Sequence, residues 1–226
     1  MTIKRFLSLF SILFIFQLHS QAQRVHFIGD LQLLGIGSVS QSVTSGSNTE
    51  RGSVTGLSGF GAGANIDLPY NFEVNVLGGF FFNILLNANY SSSGKSSSNS
   101  SQSLAMPRTG MEFTYNLIIE KKSFVSGISF GAGFDMLWAG RFNKSDENGS
   151  IRVSYDGAVS PFYRIKLIFK PLGKFTIQPY LSYRTFEMRA NDYNITGDYT
   201  APDESLINLK GRNLEFGAVV IIGAKN

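Results

Sequence analysis

Few side chains in this sequence could do covalent chemistry. Cysteine is absent, and His26 is the one histidine beyond the first 22 residues. A Ser–His nucleophile would need a serine and a carboxylate within hydrogen-bond reach of His26, and no spacing in the chain suggests that set. Without a cysteine or a histidine pair, no metal-ligand pattern forms either. Two glycine-rich stretches, GFGAGAN around Gly59, Gly61 and Gly63 and SFGAGFD around Gly131 and Gly133, resemble phosphate loops at first sight. Neither completes the GxGxxG spacing or opens an amphipathic helix. The sequence therefore assigns no catalytic, cofactor or metal residue, and the expectation is a non-enzymatic protein. What remains are charges set at alternate positions: Asp67, Glu73, Glu112, Glu120, Asp135, Arg164, Lys166, Lys170, Arg184 and Glu215. Their meaning depends on the elements that carry them.

The N-terminus has the pattern expected of an export signal. Lys4 and Arg5 precede the apolar run Phe6–Leu18, and Ser20-Gln21-Ala22 supplies small residues where a signal peptidase cuts. The run is shorter than the roughly 20 residues a transmembrane helix needs. Cleavage is expected between Ala22 and Gln23, giving a signal peptide over 1–22 and one domain over 23–226. Loss of Lys4 and Arg5 lowers the formal charge from +4 to +2. No Lys/Arg cluster of the kind nucleic acid requires is present. No later stretch approaches the length of a membrane-spanning helix, so any membrane passage must use a closed sheet.

From residue 25 onward the apolar pattern has period two, the repeat of a strand. Between Phe72 and Tyr90 the even positions include Phe72, Val76, Phe80, Phe82 and Ile84, and the odd ones include Glu73, Asn75, Gly79 and Asn83. The alternation outruns the five or six residues usual in soluble sheets. Eight strands are expected, at 25–40, 54–68, 72–90, 106–120, 124–142, 151–169, 175–189 and 211–225. The first is the least regular, because Leu34 and Ile36 blur its faces. Three connections are short, around Pro69-Tyr70-Asn71, Lys121-Lys122-Ser123 and Lys170–Lys174. Four are long and polar: 41–53, 91–105, 143–150 and 190–210. Short turns at one end and long loops at the other, with an even strand number and no exposed edge, describe a membrane barrel. Aromatics mark both ends of the greasy face, with Phe72, Phe124, Phe169 and Phe175 at the turns and Tyr90, Trp138, Phe142 and Tyr155 toward the loops. A soluble β-sandwich with the same alternation is the competing architecture.

The signal ending Ser20-Gln21-Ala22-Gln23, the eight alternating strands and the turn/loop rhythm resemble the small outer-membrane β-barrel proteins of Gram-negative bacteria. The Gln-Ala-Gln ending is similar to that seen in Bacteroidota. The resemblance is architectural and spans the mature chain. It implies an all-β, closed antiparallel up-and-down barrel of eight strands, with short periplasmic turns and long extracellular loops. It also implies an integral outer-membrane protein surrounded by lipid, with both termini periplasmic. One departure is that the chain ends Gly223-Ala224-Lys225-Asn226, without a terminal aromatic residue.

In such a ring the charges of the alternate face point inward. Acids on the second to fourth strands would then lie across from bases on the sixth and seventh. An eight-strand barrel is just wide enough for side chains to fill it, and an isolated interior charge is costly. Two arrangements are open: an ion-pair network that closes the bore, or separately hydrated charges in a narrow porin-like channel. In the network reading Arg184 pairs with a carboxylate, Glu112 being the best candidate and Asp135 or Glu215 the substitutes. The glycines Gly59, Gly61, Gly63, Gly131 and Gly133 would make room for long side chains. The leading functional expectation is a monomeric barrel with a filled lumen, serving envelope structure or surface-loop contacts. The alternatives are a narrow pore or hydrophobic-solute transporter, and an accessory barrel in protein export. No cofactor is expected, and the sequence identifies no protein partner.

Overall fold

The computed structural model describes residues 24–45, 48–54, 57–83, 101–118, 124–146, 149–197 and 208–223. The segment expected to be a signal peptide, with its expected Ala22/Gln23 junction, and Glu120 lie outside these residues. The strands are β1 (Val25–Ser45), β2 (Asn48–Val54), β3 (Leu57–Asp67), β4 (Phe72–Asn83), β5 (Ser101–Ile118), β6 (Val125–Leu137), β7 (Gly140–Asp146), β8 (Gly149–Tyr155), β9 (Ala158–Phe169), β10 (Phe175–Met188), β11 (Ala190–Gly197) and β12 (Leu209–Ile222). One antiparallel ring runs β5-β4-β3-β1-β12-β10-β9-β6 and closes from β6 back to β5. The architecture is a closed eight-stave up-and-down barrel, in which every stave is hydrogen-bonded on both sides.

Side-chain alternation sorts residues between two environments. Outward positions such as Phe27, Leu31, Phe60, Val76, Phe80, Phe113, Phe130, Ile165, Leu181 and Phe216 are exposed large apolar groups. In water such a continuous apolar surface would drive association. Wrapped around a sealed barrel, it is the belt that faces lipid. At the turn end the belt is edged by aromatics: Phe72 packs 5.1 Å from Tyr115 and Phe124 stacks 4.9 Å from Phe169. Toward the loop end Trp138 is exposed and its indole N–H donates to Thr109 Oγ1 at 3.0 Å. Tyr90 lies outside the described residues.

The loop end departs from the sequence reading. The described parts of the segments expected as loops are largely strand: β1 runs on to pair with β2, and β7, β8 and β11 continue the staves begun by β6, β9 and β10. Breaks at 138–139 and 156–157 interrupt two of the expected continuous strands. Across each break the strand gains one residue on its neighbour: three residues separate Ala105 from Arg108 while four separate their partners Leu137 and Arg141, and six separate Arg184 from Ala190 while seven separate Tyr155 from Phe162. One extra residue reverses which face each following side chain joins. Phe142, Val153 and Tyr155, expected on the lipid face, are therefore buried inside the barrel. They join Leu57, Phe81, Leu104, Met106, Leu137, Phe186, Met188 and Leu209 in one apolar cluster. At the same height the outside turns polar, with Glu187 paired to Lys210 and Arg141 and Arg212 exposed. The upper tier is apolar within and polar without, the reverse of the belt below, as expected where the surroundings change from lipid to water.

The irregularity of the first strand has a local cause. The β1–β12 register shifts between Gln32 and Leu34, the signature of a β-bulge. There Gln32 Nε2 donates to Leu57 O at 2.9 Å, and Ser58 Oγ donates to Leu33 O at 3.0 Å. These side chains satisfy backbone carbonyls where the β1–β3 ladder stops at Gln32–Gly59.

Candidate functional site

Directly below the apolar tier, eight inward charged side chains contributed by β1, β5, β6, β9, β10 and β12 touch one another. They form one unbroken chain of alternating sign. Lys166 Nζ lies 3.0 Å from Glu112 Oε1, and Glu112 Oε2 accepts from Arg164 Nη1 at 3.4 Å. Arg164 Nη2 reaches Asp30 Oδ2 at 3.4 Å, and the same oxygen accepts from Arg108 Nη2 at 3.0 Å. Arg108 Nη1 donates to Asp135 Oδ2 at 3.1 Å, and this carboxylate also accepts from Arg184 Nη1 at 2.5 Å. Arg184 Nε then donates to Glu215 Oε1 at 2.7 Å. Four acids meet four bases, so the cluster is formally neutral. All eight side chains are essentially inaccessible to solvent.

Neutral groups complete the cluster. Tyr180 OH donates to Asp30 Oδ1 at 2.9 Å, Asn75 Nδ2 to Glu112 Oε2 at 3.1 Å, and Lys166 Nζ to Thr114 Oγ1 at 3.1 Å. The guanidiniums lie on aromatic faces: Arg108 on Phe81 at 4.2 Å, Arg164 on Tyr180 at 3.8 Å, and Arg184 on Phe81 and Phe162 at 4.7 Å each. Planar guanidinium suits this mixture of carboxylate pairing and ring stacking better than ammonium does. Removing eight charges from water is expensive, and their mutual attraction roughly offsets that cost. The arrangement therefore fixes the interior geometry more than it adds net stability.

Glycine determines where the long side chains fit. A Cβ on Gly131 would land on the Glu112 carboxylate, and one on Gly110 on that of Asp135. Gly59 and Gly133 likewise leave space for Phe81 and Phe162.

Of the charges singled out in the sequence, Glu112, Asp135, Arg164, Lys166, Arg184 and Glu215 meet in this chain. Three described ones do not. Glu73 sits nearer the turn end, accepting hydrogen bonds from Asn65 Nδ2 at 3.1 Å and Asn116 Nδ2 at 2.5 Å. Asp67 lies at the rim, 3.1 Å from His26 Nε2. Lys170 lines the turn-end mouth with these two. The expected Arg184–Glu112 pair is corrected: Arg184 takes Asp135 and Glu215, while Glu112 takes Arg164 and Lys166. Barrel shear sets Glu112 level with β9 rather than with Arg184. Asp30 and Arg108 escaped the sequence reading. Both lie in inward phase with their neighbours, but the bulge on β1 obscured the phase around Asp30.

Below the cluster a blind vestibule of about 690 Å³ opens at the turn end, lined by His26, Asn65, Asp67, Glu73, Asn116, Lys170, Thr176 and Gln178 among others. His26 and Asp67 form a dyad there. Ser126, also on the lining, donates its hydroxyl to Ile168 O at 3.1 Å from β6, the stave opposite β1 in the ring. No group of three or more His, Cys, Asp or Glu poised for a metal occurs among the described residues.

No family model matches the chain, and no curated protein does. Among solved structures, Neisserial surface protein A is similar with a TM-score of 0.47 at 10% identity, over 90% of this chain and 100% of that one. A major outer membrane protein from Thermus thermophilus gives 0.47 at 12%, over 89% and 100%. The outer membrane protease OmpT from Escherichia coli gives 0.45 at 8%, over 92% and 100%. These likenesses assign no activity to this chain.

Proposed function

We propose that the protein is a monomeric, non-enzymatic outer-membrane barrel whose lumen is closed, acting through its wall and its loop-end surface in envelope structure or surface contacts. The observation that carries this reading is the alternating chain from Lys166 to Glu215 lying directly beneath the apolar tier of Leu57, Phe81, Leu104, Phe142 and Met188. An ion entering from the vestibule meets a formally neutral layer in which every charge has a counter-charge, and then an apolar one with nothing to replace its hydration shell. The apolar belt supports insertion, and the N-terminal signal-like segment supports export. In this reading the termini and short turns face the periplasm, and the tier built from β2, β7, β8 and β11 stands outside. The narrow-pore and export-accessory readings lack a comparable observation in the lumen. Liposome swelling in arabinose tests the proposal. Proteoliposomes should swell no faster than protein-free vesicles, and size-dependent sugar uptake would contradict the closed lumen.

A further inference from the structure

One seam of the barrel differs from the rest. The β9–β10 ladder extends only from Tyr180–Lys166 to Arg184–Phe162. By contrast, β10–β12 pairs from Phe175–Ile222 to Met188–Leu209, and β6–β9 from Val125–Phe169 to Leu137–Ala158. Continuing the β9–β10 register by one step at each end places Pro179 opposite Leu167 and Pro161 opposite Thr185. Each proline's other ladder passes it unbroken, at Pro179–Ala218 and Pro161–Phe134. The missing N–H groups therefore both face the β9–β10 seam. Ser160 Oγ partly substitutes by donating to Thr185 O at 3.1 Å. Proline belongs at sheet edges, so two of them give this interior seam the character of an edge.

Over the same seam, on the outer face, lies a groove of about 340 Å³ lined by Phe130, Tyr163, Ile165, Leu181, Tyr183 and Leu214. It is continuous with the lipid-facing belt, and its size is that of a small ligand pocket. Tyr163 and Tyr183 are directly opposed across the seam. Arg212 stands exposed on the outward face of β12, two residues above Leu214, or about 7 Å at the rise of a strand. Lys210 and Arg189 are exposed just beyond it; Glu187 pairs with Lys210 at 3.0 Å, and exposed Asp156 donates its backbone N–H to Arg189 O at 2.8 Å, so three cations face two carboxylates. An apolar slot ending under a net positive rim, at the level where the wall changes from apolar to polar, is complementary to a lipid with an anionic head.

We propose that this groove binds one phosphorylated, multi-acyl glycolipid of the lipid A type, with an acyl chain over the β9–β10 seam and a phosphate on Arg212. The choice of outer-leaflet lipid rests on the orientation proposed above, in which the loop end faces outward. Filling the groove covers the seam where the sheet's own hydrogen bonding is shortest.

The test is native mass spectrometry of the full barrel in mild detergent, titrated in turn with lipid A and with phosphatidylglycerol. Wild type should retain one lipid A in preference to phosphatidylglycerol. Arg212→Glu should weaken retention by about tenfold, the scale of one or two basic contacts at a membrane surface. Leu181→Trp, which fills the groove without changing charge, should weaken it as well. Arg152→Glu, an exposed loop-end cation on β8, should leave it unchanged. Heat-modifiable gel mobility verifies folding, and Arg212→Gln replaces Arg212→Glu if the latter does not fold. Equal retention by wild type and both groove variants would overturn the site, as would equal loss in Arg152→Glu. Phosphatidylglycerol bound as tightly, with the same dependence on Arg212, would overturn the glycolipid assignment. Arabinose swelling reads the lumen separately: a barrel that holds the lipid yet swells refutes the closed lumen alone, and one that stays tight without the lipid refutes the groove alone.

Discussion

Asp30, on the first stave, accepts a hydrogen bond from Arg108 of β5 at 3.0 Å across the lumen. In the ring the two strands are separated by β3 and β4, so the contact spans the interior rather than lying along the wall. The same carboxylate oxygen also meets Arg164, which makes Asp30 the joint between the two halves of the charged chain.

Asp30→Asn should therefore destabilise the barrel strongly. It leaves two buried guanidiniums without their shared carboxylate, a change that costs about 3–5 kcal/mol in buried pairs. Asp67→Asn at the rim, where the carboxylate is 41% exposed beside His26, should cost less than about 1 kcal/mol. Urea unfolding in lipid vesicles gives both values, and similar costs for the two would refute the buried joint.

Double-mutant cycles should separate the partners of Arg184. Arg184→Met with Asp135→Asn, and Arg184→Met with Glu215→Gln, should show coupling of about 1–3 kcal/mol, as contacting groups do. Arg184→Met with Glu112→Gln should show clearly less. The largest coupling at Glu112 would restore the pairing that the sequence favoured and contradict the geometry.

The reversal of polarity along single strands predicts a height-dependent response on one face. Phe113 and Ser103 are both outward and exposed on β5, the first in the belt and the second above it. Phe113→Arg should destabilise by about 2–4 kcal/mol, the cost of a cation at the bilayer midplane, and Ser103→Arg by about 0–1. Vesicle-based unfolding reads both. Equal costs would place the membrane boundary elsewhere.

The eight staves and the identity of the lumen face were readable because period-two alternation survives through the belt, where lipid outside and charge inside keep the two faces chemically distinct. Beyond the belt this contrast inverts. Phe142, Val153 and Tyr155 look like lipid-facing residues in one dimension, and only Gly140 and the Asp156-Gly157 pair mark the irregularities that turn them inward. Side-chain pairing was harder still. Shear decides which rungs meet, so Arg164 and Lys166, rather than Arg184, reach Glu112.

Glycine placement gives a steric test of the cluster. Gly131→Ala should cost about 1–3 kcal/mol, because its Cβ would meet the Glu112 carboxylate. Gly29→Ala, whose Cβ would find only Gly61 O at 4.0 Å on the lipid side, should be close to neutral. Thermal or urea unfolding distinguishes them, and a neutral Gly131→Ala would mean that Glu112 is not packed against β6.

The closed lumen is tested most directly by single-channel recording of the wild-type barrel in planar bilayers at 1 M KCl, alongside Arg184→Ala. The account predicts no steady conductance for wild type, and ion leakage in Arg184→Ala, where Asp135 and Glu215 lose the cation between them. A steady open channel in the wild-type protein would contradict it.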